Sequence, residues 1–540
     1  MTAGAHVTNG RSGAARCGVG IRDAVALVAG VVVVAWGWSF NARIVGELYD
    51  YGIMIDGTYL VRRGWRPHVD VLMPIGSLVL RIGYLCERLF GERYLALAYG
   101  NLVLALLMLF VTFALLRRAY GPSLASLAAS VLCAAVPLQH GILWYNSVGT
   151  AALVVVLLLA ARRLGGDGAE AMDVPLQLAG VWVLGMVKAN AFAIGIVVAA
   201  LTAVGVAVRR ASLRGFVSEV LALAVAVALV PIGEGWLCGC TPTAWWNDLV
   251  IRPAGRIAFV SHVLSDVATL GAFLSNGNDA YLGGWDHDMV GGTLAALAAL
   301  TVGVARGARG RARWLTVMGA ATGGVLALAY AVSNSDIVFL RKAPLLTTLL
   351  AVPIVAGLRH PHPRWVRATV AGCLGWWAIA AGTSVAAHAR LRYGYFPSAR
   401  FRPASPDWPS RYFDGVALGR RQWSQTDGVY RFLASERPGR ADGGFFGPSL
   451  GYFYRLTGTL PPRGLPLWWD HGVSWSPRDE SALLTAFRDA DPPFVVYNLW
   501  ALFELPAAIR DEVAARYTWV HDDPQIWVRE TTPAAAARDH

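Results

Sequence analysis

With 540 residues, 55% of them hydrophobic and only 15% charged, and a mean hydropathy of +0.46, the chain departs from soluble domains, in which about a quarter of residues are charged. An ordinary soluble enzyme is excluded, and a membrane protein is expected. The formal charge of +12 does not indicate a nucleic-acid partner, because many arginines sit in short clusters at the ends of apolar runs (Arg117-Arg118, Arg162-Arg163, Arg209-Arg210, Arg306 to Arg313, Arg359 to Arg367), which are topology signals.

Arg11, Arg16 and Arg22 precede an apolar stretch from Ala24 to Trp38, the arrangement of a secretory signal or of a first span. Trp36-Gly37-Trp38 suits an interfacial anchor better than a small-residue cleavage site, so an uncleaved span is expected. Hydropathy then predicts about eleven spans, near 23–40, 94–116, 122–138, 146–162, 174–188, 190–208, 216–237, 288–305, 314–332, 343–358 and 365–388. With the N-terminus inside, every arginine cluster falls on the cytoplasmic face and the residues after the last span fall outside.

Two outer segments are long, 41–93 and 238–287. In the first, Ile53 to Arg63 and Ile75 to Phe90 carry apolar residues at helical spacing with charges between them, which predicts helices lying in the interface. From Tyr393 the composition shifts to Pro, Asp, Arg and aromatic residues, predicting a small α/β domain. Its expected elements are a helix from Asp427 to Glu436, a second opened by Ser476-Pro477 and running to Asp489, and strands at Phe494–Tyr497 and Ile526–Arg529. The fold class is therefore a polytopic α-helical membrane protein with an extracytoplasmic C-terminal α/β domain. Residues 1–22 form a cytoplasmic tail, 23–388 the membrane domain, 389–530 the soluble domain and 531–540 a disordered tail.

Candidate chemistry concentrates after the first span, in Tyr49-Asp50-Tyr51-Gly52, Asp56-Gly57, Gly64-Trp65-Arg66-Pro67-His68-Val69-Asp70 and Pro74-Ile75-Gly76. A carboxylate held where an apolar helix meets the interface is partly desolvated, which strengthens it as a base. Asp50 can play that part, or it can cap the following helix and pair with a nearby arginine. The chain has two lysines, Lys188 and Lys342. Lys188, beside Asn190, and Arg341-Lys342 fall at outer ends of spans, where a lipid phosphate would meet them. Snorkelling at a helix end explains the same placement.

His68 and His140, with Asp70, offer ligands for a divalent cation, although no spacing motif supports one. His262, Asp266, Asp286, His287 and Asp288 line the second outer segment, and Glu234 closes the seventh span. Trp245-Trp246, Trp468-Trp469 and Trp475 can stack on sugar rings or anchor at the interface. The six cysteines show no metal spacing, and a Cys238–Cys240 bridge would close too tight a loop.

One span, then Asp-x-Gly, Gly-x-x-Pro-x-x-Asp, Pro-x-Gly and an interfacial helix resembles the GT-C superfamily of membrane glycosyltransferases. Within it the chain is most similar to the protein O-mannosyltransferase and aminoarabinose transferase branch. The likeness covers nearly the whole chain, including Tyr454 to Gly458 (Tyr-x-Leu-Thr-Gly) in the C-terminal domain. It implies transfer of a sugar from a polyprenyl-phosphate donor to a cell-envelope acceptor (a glycan, lipid or protein) at the outer face of a bacterial plasma membrane. It also implies membrane lipids as partners, Asp50 as general base and Asp70 as the second recurring acid. Many relatives have Asp-Glu where this chain has Asp50-Tyr51, which weakens any metal site there and leaves Asp56 as a rival base. Tyr49, His68 and Asn190 complete the expected substrate contacts, and Lys188, Arg341 and Lys342 the phosphate contacts. An Ala-, Gly- and Arg-rich composition fits a high-GC, actinobacterial envelope. Two other readings are a transporter or flippase of lipid-linked saccharides, and a non-catalytic scaffold for envelope assembly.

Overall fold

The structure, a computed structural model, describes residues 20–252 and 401–529 except 46–47, 136, 166–170, 436–442, 449, 472, 498–504 and 523. The spans expected from 288 onward, with Arg341, Lys342, His262, Asp266 and Asp286 to Asp288, lie outside the described residues.

Helices stand where hydropathy places the first seven spans. They are α1 (Ile21–Asn41), α4 (Tyr94–Tyr120), α5 (Pro122–Ala135), α6 (Tyr145–Gly165), α7 (Asp173–Gly185), α8 (Ala189–Arg210) and α9 (Leu213–Cys238). Five of these, α1, α4, α6, α8 and α9, are long and apolar enough to cross a membrane. The protein is a multi-pass membrane protein. α5 and α7 are shorter than expected, with 14 and 13 residues. At 1.5 Å per residue each covers roughly 20 Å of a hydrocarbon core of roughly 30 Å. α5 stops before a 3₁₀ turn opened by Pro137. α7 stops where Met186, Val187 and Lys188 turn their N–H groups back onto Trp182 and Leu184.

Ion pairs tie one end of the bundle together. Arg117 at the end of α4 meets Asp23 at the start of α1 at 3.2 Å, and Arg162 at the end of α6 meets Asp173 at the start of α7 at 3.2 Å. Arg163 pairs with Glu219 and donates to Gln177. The arginine clusters after α4 and α6 thus gather with acids of the neighbouring helices at a common end.

At the other end the segment between α1 and α4 forms β1 (Ile44–Val45), α2 (Leu48–Arg62) and α3 (Ser77–Phe90). α3 keeps the expected amphipathic character, with Leu85, Leu89 and Phe90 exposed and Val79, Leu80 and Gly83 buried. α2 differs: residues 51–61 are all buried, because the C-terminal chain covers the face that α3 leaves open. α9 is followed by α10 (Pro242–Trp246), which runs into a π-helical turn at Asn247–Ile251.

The C-terminal part contains β2 (Phe401–Pro403), β3 (Ala417–Gly419), α11 (Arg420–Ser435), β4 (Phe445–Phe446), α12 (Phe453–Thr457), α13 (Glu480–Ala490), β5 (Phe494–Tyr497), α14 (Ala507–Arg516), β6 (Tyr517–Asp522) and β7 (Gln525–Arg529). The strands β4-β5-β7-β6 form one sheet, parallel at β4–β5 and antiparallel elsewhere. α13 and α14 pack on it through Phe445, Trp469, Phe487, Ile509 and Val513. A second sheet, β1-β3-β2, joins the two parts of the chain, since β1 of the segment between α1 and α4 pairs in parallel with β3 at Ile44↔Ala417 and Val45↔Leu418. Leu72 bridges to Pro466 beside it. Met54 of α2, Val79 of α3 and Tyr452, Phe453 and Leu456 of the C-terminal part belong to a single apolar core.

Candidate functional site

Asp50 lies in the first turn of α2, one residue after Tyr49; the side chains of both are outside the described set. Tyr51 fixes that turn. Its hydroxyl accepts a hydrogen bond from the Gly141 N–H at 3.2 Å, and its ring stands edge-on to His140 at 6.3 Å and to Trp144 at 6.5 Å. The contacts continue to Tyr145, whose ring centroid is 5.2 Å from that of Trp144. Lys188 caps α8 and lies 5.2 Å over the Tyr145 ring, with its ammonium donating to the Asn146 side chain. An aromatic run therefore leads from the start of α2 to Lys188. Asn190, two residues on, turns its side-chain oxygen back to the Ala191 N–H at 2.8 Å.

The Pro74-Ile75-Gly76 segment supports the same place from the opposite side. The Gly76 N–H donates to the Val187 carbonyl at 3.0 Å, and a Cβ on Gly76 would stand 2.0 Å from the Met186 carbonyl oxygen. Only glycine permits that approach. Directly after it, a carboxyl oxygen of Glu234 of α9 accepts the Ser77 N–H at 3.0 Å, satisfying a backbone donor at the first turn of α3. Glu234 thus serves as a cap from another helix.

His68 is buried with a left-handed φ of 64°, and its Nδ1 is 3.0 Å from Asp248 in the π-helical turn. Burial alone would lower the His68 pKa, but the Asp248 and Glu234 carboxylates raise it above the ordinary histidine value. Arg252 pairs with Asp248 and reaches Asp479 before α13 at 3.5 Å. Asp70 accepts the Arg66 N–H at 2.8 Å, and Arg463 of the C-terminal part is 3.8 Å away. Burial would raise its carboxyl, yet the Arg66 hydrogen bonds and the two guanidinium charges hold it below the usual range. Among the described residues no three His, Cys, Asp or Glu side chains stand close enough to hold a metal ion. The candidate ligands His68 and Asp70 are turned to Asp248 and Arg66 respectively.

Asp56 is enclosed between α2 and the C-terminal part, with 0% exposure. Its Oδ1 accepts the Arg455 N–H at 3.2 Å, and burial pushes its carboxyl well above the usual range against that hydrogen bond and the Arg455 charge. The Arg455 guanidinium donates to Glu87 of α3 at 3.0 Å and lies 4.5 Å over the Tyr412 ring. Glu87 is 2% exposed, and burial raises its pKa to about 7 despite the ion pair. Asp56 Oδ2, Glu87 Oε1 and the Tyr412 hydroxyl are buried without a partner among the described residues. Asp56, Arg455 and Glu87 thus meet where α2 and α3 pack on the C-terminal part, and Asp56 has no exposed surface there.

No family model and no curated protein matches the chain. Solved structures do. The chain is similar to the oligosaccharyltransferase of Archaeoglobus fulgidus in complex with Zn and sulfate, at 13% identity over 88% of this chain and 68% of that one, with a TM-score of 0.42. It is similar to archaeal oligosaccharyltransferase AglB from the same organism with an inhibitory peptide and a dolichol-phosphate, at 12% identity over 95% and 75%, TM-score 0.41. ArnT from Cupriavidus metallidurans bound to undecaprenyl phosphate matches at 11% identity over 95% and 98%, TM-score 0.34.

Three residues of this region carry no sequence signal strong enough to single them out: Arg455, Glu87 and Asp248. Arg455 is the one charge in the aromatic run from Gly451 to Leu456, a usable hint. Glu87 sits among other charges and Asp248 next to Asn247 in an apolar stretch, and only tertiary packing shows that both are buried.

Proposed function

We propose that the protein is a GT-C-type glycosyltransferase that moves a sugar from a polyprenyl-phosphate donor to a cell-envelope acceptor on the extracytoplasmic face. The observation that carries this reading is the run Tyr51–Trp144–Tyr145–Lys188, which joins the start of the Asp50 helix to a lysine at the bundle end opposite the arginine clusters. Positive charge orients spans with the clusters inside, so that end and the C-terminal domain face outward. Asp50 takes the proton of an acceptor hydroxyl as it attacks the anomeric carbon. Lys188, with Arg341 and Lys342, takes up the charge growing on the departing lipid phosphate. One displacement inverts the anomeric centre. A transporter finds less support, since the charged residues of the described spans lie near their ends and leave no polar path between.

The test incubates purified protein with a panel of polyprenyl-phosphate sugars and measures free lipid phosphate. Asp50→Asn is expected to lower release by on the order of 10² to 10⁴-fold while the protein stays folded and inserted. Turnover by Asp50→Asn at the wild-type rate would remove Asp50 from the chemistry.

A further inference from the structure

Arg43 follows α1 by two residues, so its backbone lies where the first span leaves the membrane. Its carbonyl accepts the Ala417 N–H at 2.9 Å, fixing it against β3. The facing wall is the turn 411–416. There the Asp414 N–H donates to the Arg411 carbonyl at 3.1 Å, and the Val416 N–H to the Phe413 carbonyl at 3.1 Å. Gly415 takes the positive φ of 75° that the turn requires. The Tyr412 carbonyl accepts the N–H of Tyr94, the first residue of α4, at 2.8 Å, which ties the turn to the end of a second span. Both walls therefore stand at headgroup depth.

Between them opens a cleft of about 810 Å³, within the range of small-ligand sites. Ile44, Phe401 and Val416 give it apolar sides, and Arg43, Arg411 and Asp414 line it with charge. Several other arginines at this end are engaged: Arg62 with Glu92, Arg66 with Asp70, Arg81 with the Leu237 carbonyl, Arg455 with Glu87. The Arg43 and Arg411 side chains are exposed and have no hydrogen bond or ion pair among the described residues. Two unpaired guanidiniums in one cleft at headgroup level suit a phosphate, which each can grip with two N–H groups. A carboxylate beside them accepts hydroxyl groups.

We propose that this cleft binds the headgroup of an anionic, hydroxyl-bearing phospholipid from the adjoining leaflet, with Arg43 and Arg411 on the phosphate and Asp414 on the hydroxyls. It shares no residue with the Lys188 neighbourhood and stands whether or not the sugar-transfer reading holds.

The experiment titrates the detergent-purified full-length protein with dioctanoyl phosphatidylglycerol, following retained lipid by native mass spectrometry. Saturable binding is expected, with at least tenfold weaker binding of dioctanoyl phosphatidylcholine. In Arg43→Gln/Arg411→Gln, checked for an unchanged unfolding temperature, affinity for phosphatidylglycerol should fall at least tenfold. Asp414→Asn should erase the preference for phosphatidylglycerol over phosphatidic acid, which lacks the glycerol hydroxyls. Unchanged affinity in the double variant, or equal binding of phosphatidylcholine, overturns the site. Displacement by inorganic phosphate at equal concentration overturns the lipid source and makes the ligand a free phosphate. Retention of the headgroup preference in Asp414→Asn overturns the role of that carboxylate.

Discussion

Two buried acids, Asp56 and Glu87, contact Arg455 where α2, α3 and α12 meet, and burial makes that place titrate. Glu87 faces Arg455, with Arg62 and Glu92 further out, and burial outweighs their combined pull to leave it near pH 7. Asp56 is displaced in the same direction by the same cause. An acid whose pKa is raised by folding stabilises the fold fully below its unfolded value near 4.5, and that stability is lost as pH rises through about 7. If the whole shift is expressed, Glu87 contributes roughly 3 kcal/mol to the difference. The unfolding temperature of purified protein should therefore fall between pH 5 and pH 8. Glu87→Gln should shrink that fall, and Glu87→Gln with Asp56→Asn should shrink it further, leaving the part that the raised pKa of His68 contributes. An equal fall in the double variant would locate the titration elsewhere.

At the scale of elements, Gly76 tests how the first loop supports Lys188. A methyl group there meets the Met186 carbonyl at 2.0 Å, a backbone atom with no freedom to rotate away. Gly76→Ala should cost about 2 kcal/mol or more, with the α7–α8 turn displaced. Lys188 is one of two lysines, so an amine-reactive probe followed by peptide mass spectrometry reads the turn directly. Faster Lys188 labelling is expected in the variant. An unchanged rate with unchanged stability would show that the turn does not depend on Gly76.

This element also marks how far the sequence could be read. The long spans were legible because hydropathy over about 20 residues is a local property. α13, β5 and β7 were legible from capping residues and β-branched runs, and their observed bounds fall within a few residues of those expected. Asp50 stood out by its motif and Lys188 by its rarity. What escaped is non-local. β1 is two residues long and exists only because β3, from the far end of the sequence, pairs with it. The burial of α2 follows from α12 lying across it, so the pattern that predicts an interfacial helix instead describes one sandwiched between a helix and a domain. Asp56 accordingly reads as a candidate base in sequence and stands as a seam residue in space.

At the scale of the molecule, the question is whether charge or apolar contact keeps the C-terminal domain on the membrane part. Tyr452, Phe453 and Leu456 share one core with Met54 and Val79, and apolar burial of that kind provides most of the affinity between packed elements. The buried ion pair adds register more than net stability, since desolvating both partners offsets much of their attraction. Removing one partner is a different matter, because it strands the other charge. Arg455→Met leaves Asp56 and Glu87 buried without a counter-charge and should cost roughly 3 to 5 kcal/mol. Arg455→Met combined with Glu87→Met and Asp56→Leu removes all three charges of the triad and should recover most of that loss. Thermal unfolding of the three proteins at pH 8 decides it. Recovery in the triple variant means that the aromatic core holds the domain and the triad fixes its alignment over α2. Failure to recover, with the single and triple variants equally unstable, would mean that the charged triad itself holds the C-terminal domain in place.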